Sequence, residues 1–307
     1  MIYTLTTNPA IDMNIASDGL TPNAVTRTRD AVYTANGKGL NVSFTLAHWG
    51  TQSTILGFFG GFSGDYIVEE AGKICPVKPT YIDGITRVNV FLNTGENEYS
   101  LPNAGAPVCI EKQDEMIELL AVIDDMDMLI ISGSLSPLMD DTFYKRVFEV
   151  LEPRGIPCIL DISASCLHEM VAYKPYLIKP NDDEFEAIFN LPVKDQDPSV
   201  VAESLNAVRA MGAQRILLTL GDKGAYFASE EGVWRATCPK VKMLSSACAG
   251  DASLASFLSI YLDNHDNVES ALVRAMATGA NVVMCAGLGD FALVEELSEQ
   301  VHVERIA

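Results

Sequence analysis

Short apolar runs alternate along the chain with stretches whose apolar residues recur at helical spacing. The runs Ile2–Thr7, Ser53–Phe58, Met128–Ser132, Cys158–Asp161, Tyr176–Lys179 and Ile216–Leu220 read as buried strands. Helical periodicity marks Gly39–Trp49, Gln113–Ile123, Thr142–Leu151, Ser199–Met211, Asp251–Leu262 and Val268–Cys285. Gly50 and Gly212 stand where two of these helices should stop. Strands that alternate with helices predict βαβ units, hence an α/β fold with a mostly parallel central sheet flanked by helices.

Two stretches break this rhythm, from about residue 10 to 34 and from about 86 to 101. Arg27–Tyr33 and Val88–Asn93 are β-rich, and Thr94-Gly95-Glu96-Asn97 reads as a turn. They form either a small antiparallel β lid over one edge of the sheet or ordinary edge strands. No internal repeat or Pro/Ser-rich linker is visible, so the expected organisation is one domain over 1–307 with the lid inserted.

Composition narrows the function. With 307 residues, 48% hydrophobic and 20% charged, the chain can bury a large core and is not of disordered type. A net charge of −20 and no Lys/Arg run exclude a nucleic-acid partner. No apolar run reaches the length of a membrane span, and the first residues read as a strand rather than a leader. The seven Cys are scattered without C-x-x-C spacing, which points to a reducing, cytoplasmic setting rather than zinc or disulfides. The four His lack metal-ligand spacing.

Four motifs carry candidate chemistry. In Ser246-Ala247-Cys248-Ala249-Gly250-Asp251, small residues precede an apolar helix. The free amides of a helix start attract a phosphate, and Asp251 there is either an N-cap or a base that takes a hydroxyl proton. In Ala35-Asn36-Gly37-Lys38-Gly39-Leu40-Asn41, glycines flank a lysine before a helix, as a plain turn or as a ligand loop. Asp12, at the end of the first strand region, is a further polar candidate. Lys179-Pro180-Asn181-Asp182-Asp183-Glu184 offers a capping box, a water-coordinated Mg²⁺ site, or both. Thr219-Leu220-Gly221-Asp222-Lys223-Gly224 reads as a hairpin turn that can line a nucleotide pocket. Arg27 and Arg87 lie in the lid segments and suit an anionic ligand if they face the site. There is no P-loop, no protein-kinase motif set and no G-x-S-x-G elbow.

In this order, over nearly the whole chain, the motifs resemble the ribokinase-like PfkB carbohydrate kinases, in the branch holding 1-phosphofructokinase and tagatose-6-phosphate kinase. The resemblance is carried by Ile2–Asp12, Asn36–Val42, Ser132–Pro137, Lys179–Glu184 and Cys248–Asp251. It implies a Rossmann-type three-layer fold and an ATP- and Mg²⁺-dependent kinase. Asp251 would be the general base, and the backbone of Ala249, Gly250 and Asp251 the anion hole, with Cys248 at the first position of that catalytic signature. Asp12, Gly37, Lys38, Gly39 and Asn41 would hold the sugar, and Arg87 with Arg27 its phosphate. Lys179, Asn181 and Glu184 would organise the ATP phosphates and Mg²⁺. Thr219, Gly221, Gly224 and Gly279 would line the nucleotide site.

The implied substrate is a sugar phosphate, first fructose 1-phosphate, with tagatose 6-phosphate or fructose 6-phosphate as alternatives. A non-catalytic sugar-phosphate binder of the same fold is the rival from another class, and a homodimer through the lid is a further expectation. The chain departs from the family pattern at Asn36, Cys248 and Ala252, where the family carries Gly, Gly and Ser. A side chain at Cys248 demands either a negative φ or a strained one.

Overall fold

The computed structural model describes residues 1–163 and 165–307. Its strands are β1 (Ile2–Thr6), β2 (Ala10–Ala16), β3 (Arg29–Asn36), β4 (Ser53–Phe59), β5 (Val77–Tyr81), β6 (Arg87–Asn93) and β7 (Glu98–Leu101). They continue with β8 (Met128–Ser132), β9 (Cys158–Asp161), β10 (Leu177–Ile178), β11 (Ile216–Thr219), β12 (Ala225–Ser229), β13 (Gly232–Ala236) and β14 (Val303–Arg305). The helices are α1 (Lys38–His48), α2 (Gly61–Gly72), α3 (Ile110–Val122), α4 (Thr142–Leu151) and α5 (Leu167–Met170). They continue with α6 (Asp182–Phe189), α7 (Pro198–Met211), α8 (Ala249–Tyr261), α9 (Val268–Val283) and α10 (Val294–Ser298).

Ten strands form the main sheet in the order β14-β13-β12-β11-β10-β9-β8-β1-β4-β5. From β5 to β11 the pairs are parallel; β12, β13 and β14 add an antiparallel edge. Alternation along each strand divides the core. Leu129, Ile131 and Leu160 face the cluster that includes α4 and α7, whereas Ile130 and Ile159 face the one built on α8 and α9. Both faces are therefore covered, which explains why these strands read as continuous apolar runs. α8 is buried nearly all round, and its apolar residues are interrupted only by small residues and Asp251.

The expected strands and helices are present, with ends shifted by up to three residues. The expectation missed β5, whose Pro79 argues against a strand but is tolerated at the sheet edge. It also missed α2, where Gly and acidic residues blur the periodicity.

The lid is a separate four-stranded sheet in the order β3-β2-β6-β7. It is not wholly antiparallel: β2 and β6 run parallel. The chain leaves β2–β3 for the main sheet through α1, β4, α2 and β5 before β6, so no hairpin joins the two central lid strands. No helix of the described residues is long and apolar enough to cross a membrane.

Candidate active site

A cleft of about 840 Å³ opens between the lid and the C-terminal ends of the parallel strands. That is where loops of an open parallel sheet gather ligand-binding groups. Lid register brings the first set of polar residues together. Asp12 pairs with Asn89 across β2 and β6, and Ala10 pairs with both Asn36 and Arg87. Asn89 Nδ2 donates to Asp12 Oδ1 at 2.9 Å, and Asn36 Nδ2 donates to Asp12 Oδ2 at 2.5 Å. Burial raises the Asp12 carboxyl pKa against these donors and the nearby Arg87.

Arg87 lines the cleft and is anchored through backbone carbonyls. Nη2 donates to Asn8 O at 2.8 Å and Nη1 to Asn103 O at 3.1 Å. Its buried Nε has no hydrogen-bond partner among the described residues. Arg27 is not brought to the cleft. It lies exposed in the loop before β3, because the lid strand that would carry it inward starts only at Arg29.

The Gly37 turn works through shape. Gly37 has φ +148°, and a Cβ there would sit 2.8 Å from Thr6 Cγ2. Gly39, expected beside the ligand, instead packs α1 on β1, since a Cβ there would lie 2.3 Å from Thr6 Oγ1. Lys38 and Asn41 do line the cleft.

Asp251 is in the first turn of α8, with Cys248 as the N-cap residue. The N-cap reading of Asp251 is thus excluded, and the helix begins earlier than its periodicity indicates. Among the described residues no side chain caps α8, which leaves the amides of Ala249, Gly250 and Asp251 available to an anion. Cys248 has φ +65°, the strained one of the two conformations expected. Asn41 Nδ2 donates to Asp251 Oδ2 at 2.8 Å. Burial pushes the Asp251 carboxyl up to about 7, aided by the nearby Asp161 charge and opposed by Lys38 and the Asn41 bond. A carboxyl poised there can accept a proton near neutral pH.

Asp161, at the end of β9, was not foreseen as a site residue. Lys179 Nζ lies 3.1 Å and Lys38 Nζ 3.5 Å from its Oδ1, with Asp161 only 1% and Lys179 5% exposed. Burial works to raise the Asp161 carboxyl, but Lys179 and Lys38 together outweigh it and hold it below its usual range. Asp161 in turn raises the Lys38 ammonium. The one available signal was its position at the C-terminal end of an apolar parallel strand. Gly250 leaves room for this group: a Cβ there would lie 3.3 Å from Lys179 Nζ.

Asn181 and Glu184 form the capping box of α6 and also line the cleft. Thr219, Gly221, Gly224 and Gly279 line the same cleft. Thr219 bridges to Asn181, which ties the hairpin to the capping-box turn. Gly224 has φ +102°, and a Cβ there would lie 1.9 Å from Ala236 O. Gly279 lets α9 approach α8, where a Cβ would meet Ser253 Oγ at 2.4 Å.

Residues 5–294 match the pfkB family of carbohydrate kinases. A D-tagatose-1-phosphate kinase from Klebsiella oxytoca is 43% identical over 307 residues, covering 100% of both chains. A 1-phosphofructokinase from Borreliella burgdorferi is 31% identical over 312 residues, covering 100% of this chain and 99% of that protein. The crystal structure of phosphofructokinase-2 from Escherichia coli in complex with substrates and products is similar at a TM-score of 0.87 and 25% identity, over 97% of this chain and 98% of that one. A buried carboxylate at an uncapped helix start, facing the same cleft as a lid, is thus found in a chain that belongs to the pfkB family of carbohydrate kinases, an ATP-dependent sugar kinase.

Proposed function

We propose that the protein transfers the terminal phosphoryl group of ATP to the free primary hydroxyl of a ketohexose 1-phosphate, giving the 1,6-bisphosphate. D-Tagatose 1-phosphate is the preferred acceptor and its C4 epimer D-fructose 1-phosphate the second. The observation that carries the reading is Asp251, a buried carboxyl raised to about 7 beside the free amides of α8. The order of preference follows the relatives, of which the tagatose-1-phosphate kinase is the more similar.

In this reading Asp251 removes the proton from the attacking hydroxyl, and the α8 amides with Lys38 stabilise charge on the transferring group. Asp12, Asn41 and the Gly37 turn hold the sugar, and Arg87 holds its phosphate. Lys179, Asn181, Glu184 and the Thr219–Gly224 turn hold the nucleotide, with Gly279 near its base. The lid excludes water, which protects ATP from hydrolysis.

Mg²⁺ fits Asn181 and Glu184 through water. The capping box and the Ser163 hydroxyl use part of their acceptor capacity, and a carboxylate has about four lone-pair sites. Among the described residues no group of three or more His, Cys, Asp or Glu is placed to hold a metal directly, and Mg²⁺ commonly keeps several waters. When bound, the ion would neutralise charge on the ATP phosphates.

We read the chain as one kinase domain with the lid inserted, working in the cytoplasm, where its free cysteines stay reduced. The lid's outer strand β3 exposes Val32 and Tyr33, which suits a homodimer formed through the lid. ATP consumption with Mg²⁺, measured across ketose 1-phosphates, ketose 6-phosphates and free sugars, tests the function. Turnover confined to the 1-phosphates is expected; turnover only of 6-phosphates or of free sugars would overturn it.

A further inference from the structure

Asn36 and Cys248 are far apart in the chain, yet their side chains meet at the cleft wall. Cys248 holds φ +65°. That region is strained for a non-glycine residue, and such strain persists where surrounding structure demands it. Here the thiol meets two amides: Asn41 Nδ2 at 3.3 Å and Asn36 Nδ2 at 3.7 Å.

The Asn36 amide is saturated. Its Nδ2 donates to Asp12 Oδ2 at 2.5 Å and points to the Cys248 sulfur at 3.7 Å. Its Oδ1 accepts from Gly37 N at 2.5 Å and from Asn41 Nδ2 at 3.0 Å. A primary amide has two donor hydrogens and two acceptor lone pairs, so the Cys248 sulfur supplies its last partner. A flipped amide would set its oxygen against the Asp12 carboxylate and its NH₂ against the Gly37 N–H, so one orientation is enforced.

A chain of hydrogen bonds therefore runs from Asp12 through Asn36 and Asn41 to Asp251. Asn41 spends its two donor hydrogens on Asn36 Oδ1 and Asp251 Oδ2, so the Cys248 sulfur accepts from Asn36 and only packs against Asn41. All five residues line the cleft. One end of the chain carries the proposed sugar grip and the other the proposed base. We infer that Asn36 and Cys248 are a pair of positioning residues that hold Asp12 and Asp251 at one spacing and so decide which epimeric ketose phosphate is accepted. The inference rests on the function proposed above. Tagatose and fructose phosphates differ only in the direction of one ring hydroxyl. A site whose polar groups cannot shift to follow that hydroxyl discriminates between them, whereas a compliant one does not.

The test is the ratio of kcat/KM for D-tagatose 1-phosphate to that for D-fructose 1-phosphate. Cys248→Gly suits the positive φ and should fold, which thermal unfolding verifies. It and Asn36→Gly should each move the ratio toward one by about five-fold or more, with the KM for ATP held within about two-fold. Cys248→Ala should follow the glycine variant, and Cys248→Ser, which keeps an acceptor, should retain the wild-type ratio. The double variant Asn36→Gly/Cys248→Gly should move it no further than either alone, because both remove one link. Folded variants that lose activity equally on both epimers, or whose effects on the ratio add, overturn the inference while the proposed function stands. A wild-type protein idle on both epimers overturns the proposed function, and the inference with it.

Discussion

Asn41 donates a hydrogen bond to Asp251 Oδ2 at 2.8 Å, and both side chains are buried. This bond favours the ionised carboxylate, whereas burial, the larger influence, favours the proton and raises Asp251 to about 7. A base works only when unprotonated, so kcat/KM should rise with pH and level off above about 7. Asn41→Leu should move that limb to higher pH. An acid limb absent between about pH 5 and about pH 8 would remove Asp251 as the base.

Asp251→Asn should reduce turnover by about 10²-fold or more while ATP still binds. The same variant should be more stable than the wild type at alkaline pH. The folded protein keeps the Asp251 proton up to about pH 7, whereas an ordinary solvated Asp carboxyl releases it at 3.8. Between those values the native state binds more protons, so stability falls as pH rises. Thermal unfolding at acidic and alkaline pH should show the gap between variant and wild type widening upward. A gap independent of pH would contradict the buried, raised carboxyl.

Asp161→Asn removes the counter-charge of Lys179, which is only 5% exposed. Leaving a buried charge unpaired typically costs about 3–5 kcal/mol, readable by denaturant unfolding. The Asp161 charge also raises Asp251, so in folded variant protein the acid limb of kcat/KM should move to lower pH. An unmoved limb would disconnect the two carboxylates.

Gly39→Ala places a methyl 2.3 Å from Thr6 Oγ1 and should destabilise by about 1–3 kcal/mol. Thr6→Ala makes room for that methyl and should recover much of the loss. If the double variant is as unstable as the sum of its parts, Gly39 is not serving helix-to-strand packing.

Arg87→Ala should raise KM for the ketose phosphate far more than KM for ATP, because Arg87 lies with Asp12 and Asn89 on the lid side of the cleft. Equal changes in the two constants would take away its phosphate-binding role.

Much of this was legible from local pattern. Apolar runs and helical periodicity are properties of neighbouring residues, so the βαβ alternation and most element ends could be read directly. The same holds for the Asn181–Glu184 capping box, whose partners stand three positions apart. Asp251 was visible as a carboxylate at a helix start. Its displacement from the N-cap and its raised pKa were not, because both depend on what surrounds the α8 turn. Tertiary structure alone decided that Asp12 and Asn89 stand in register, that Asp161 shares two lysines, and that Arg27 lies outside the cleft. It also decided that β2 and β6 run parallel and that Asn36 meets Cys248 across 212 positions. Periodicity and capping are short-range effects that a sequence carries on its face. Charge pairing and amide saturation arise only when folding sets distant backbones at one distance and angle.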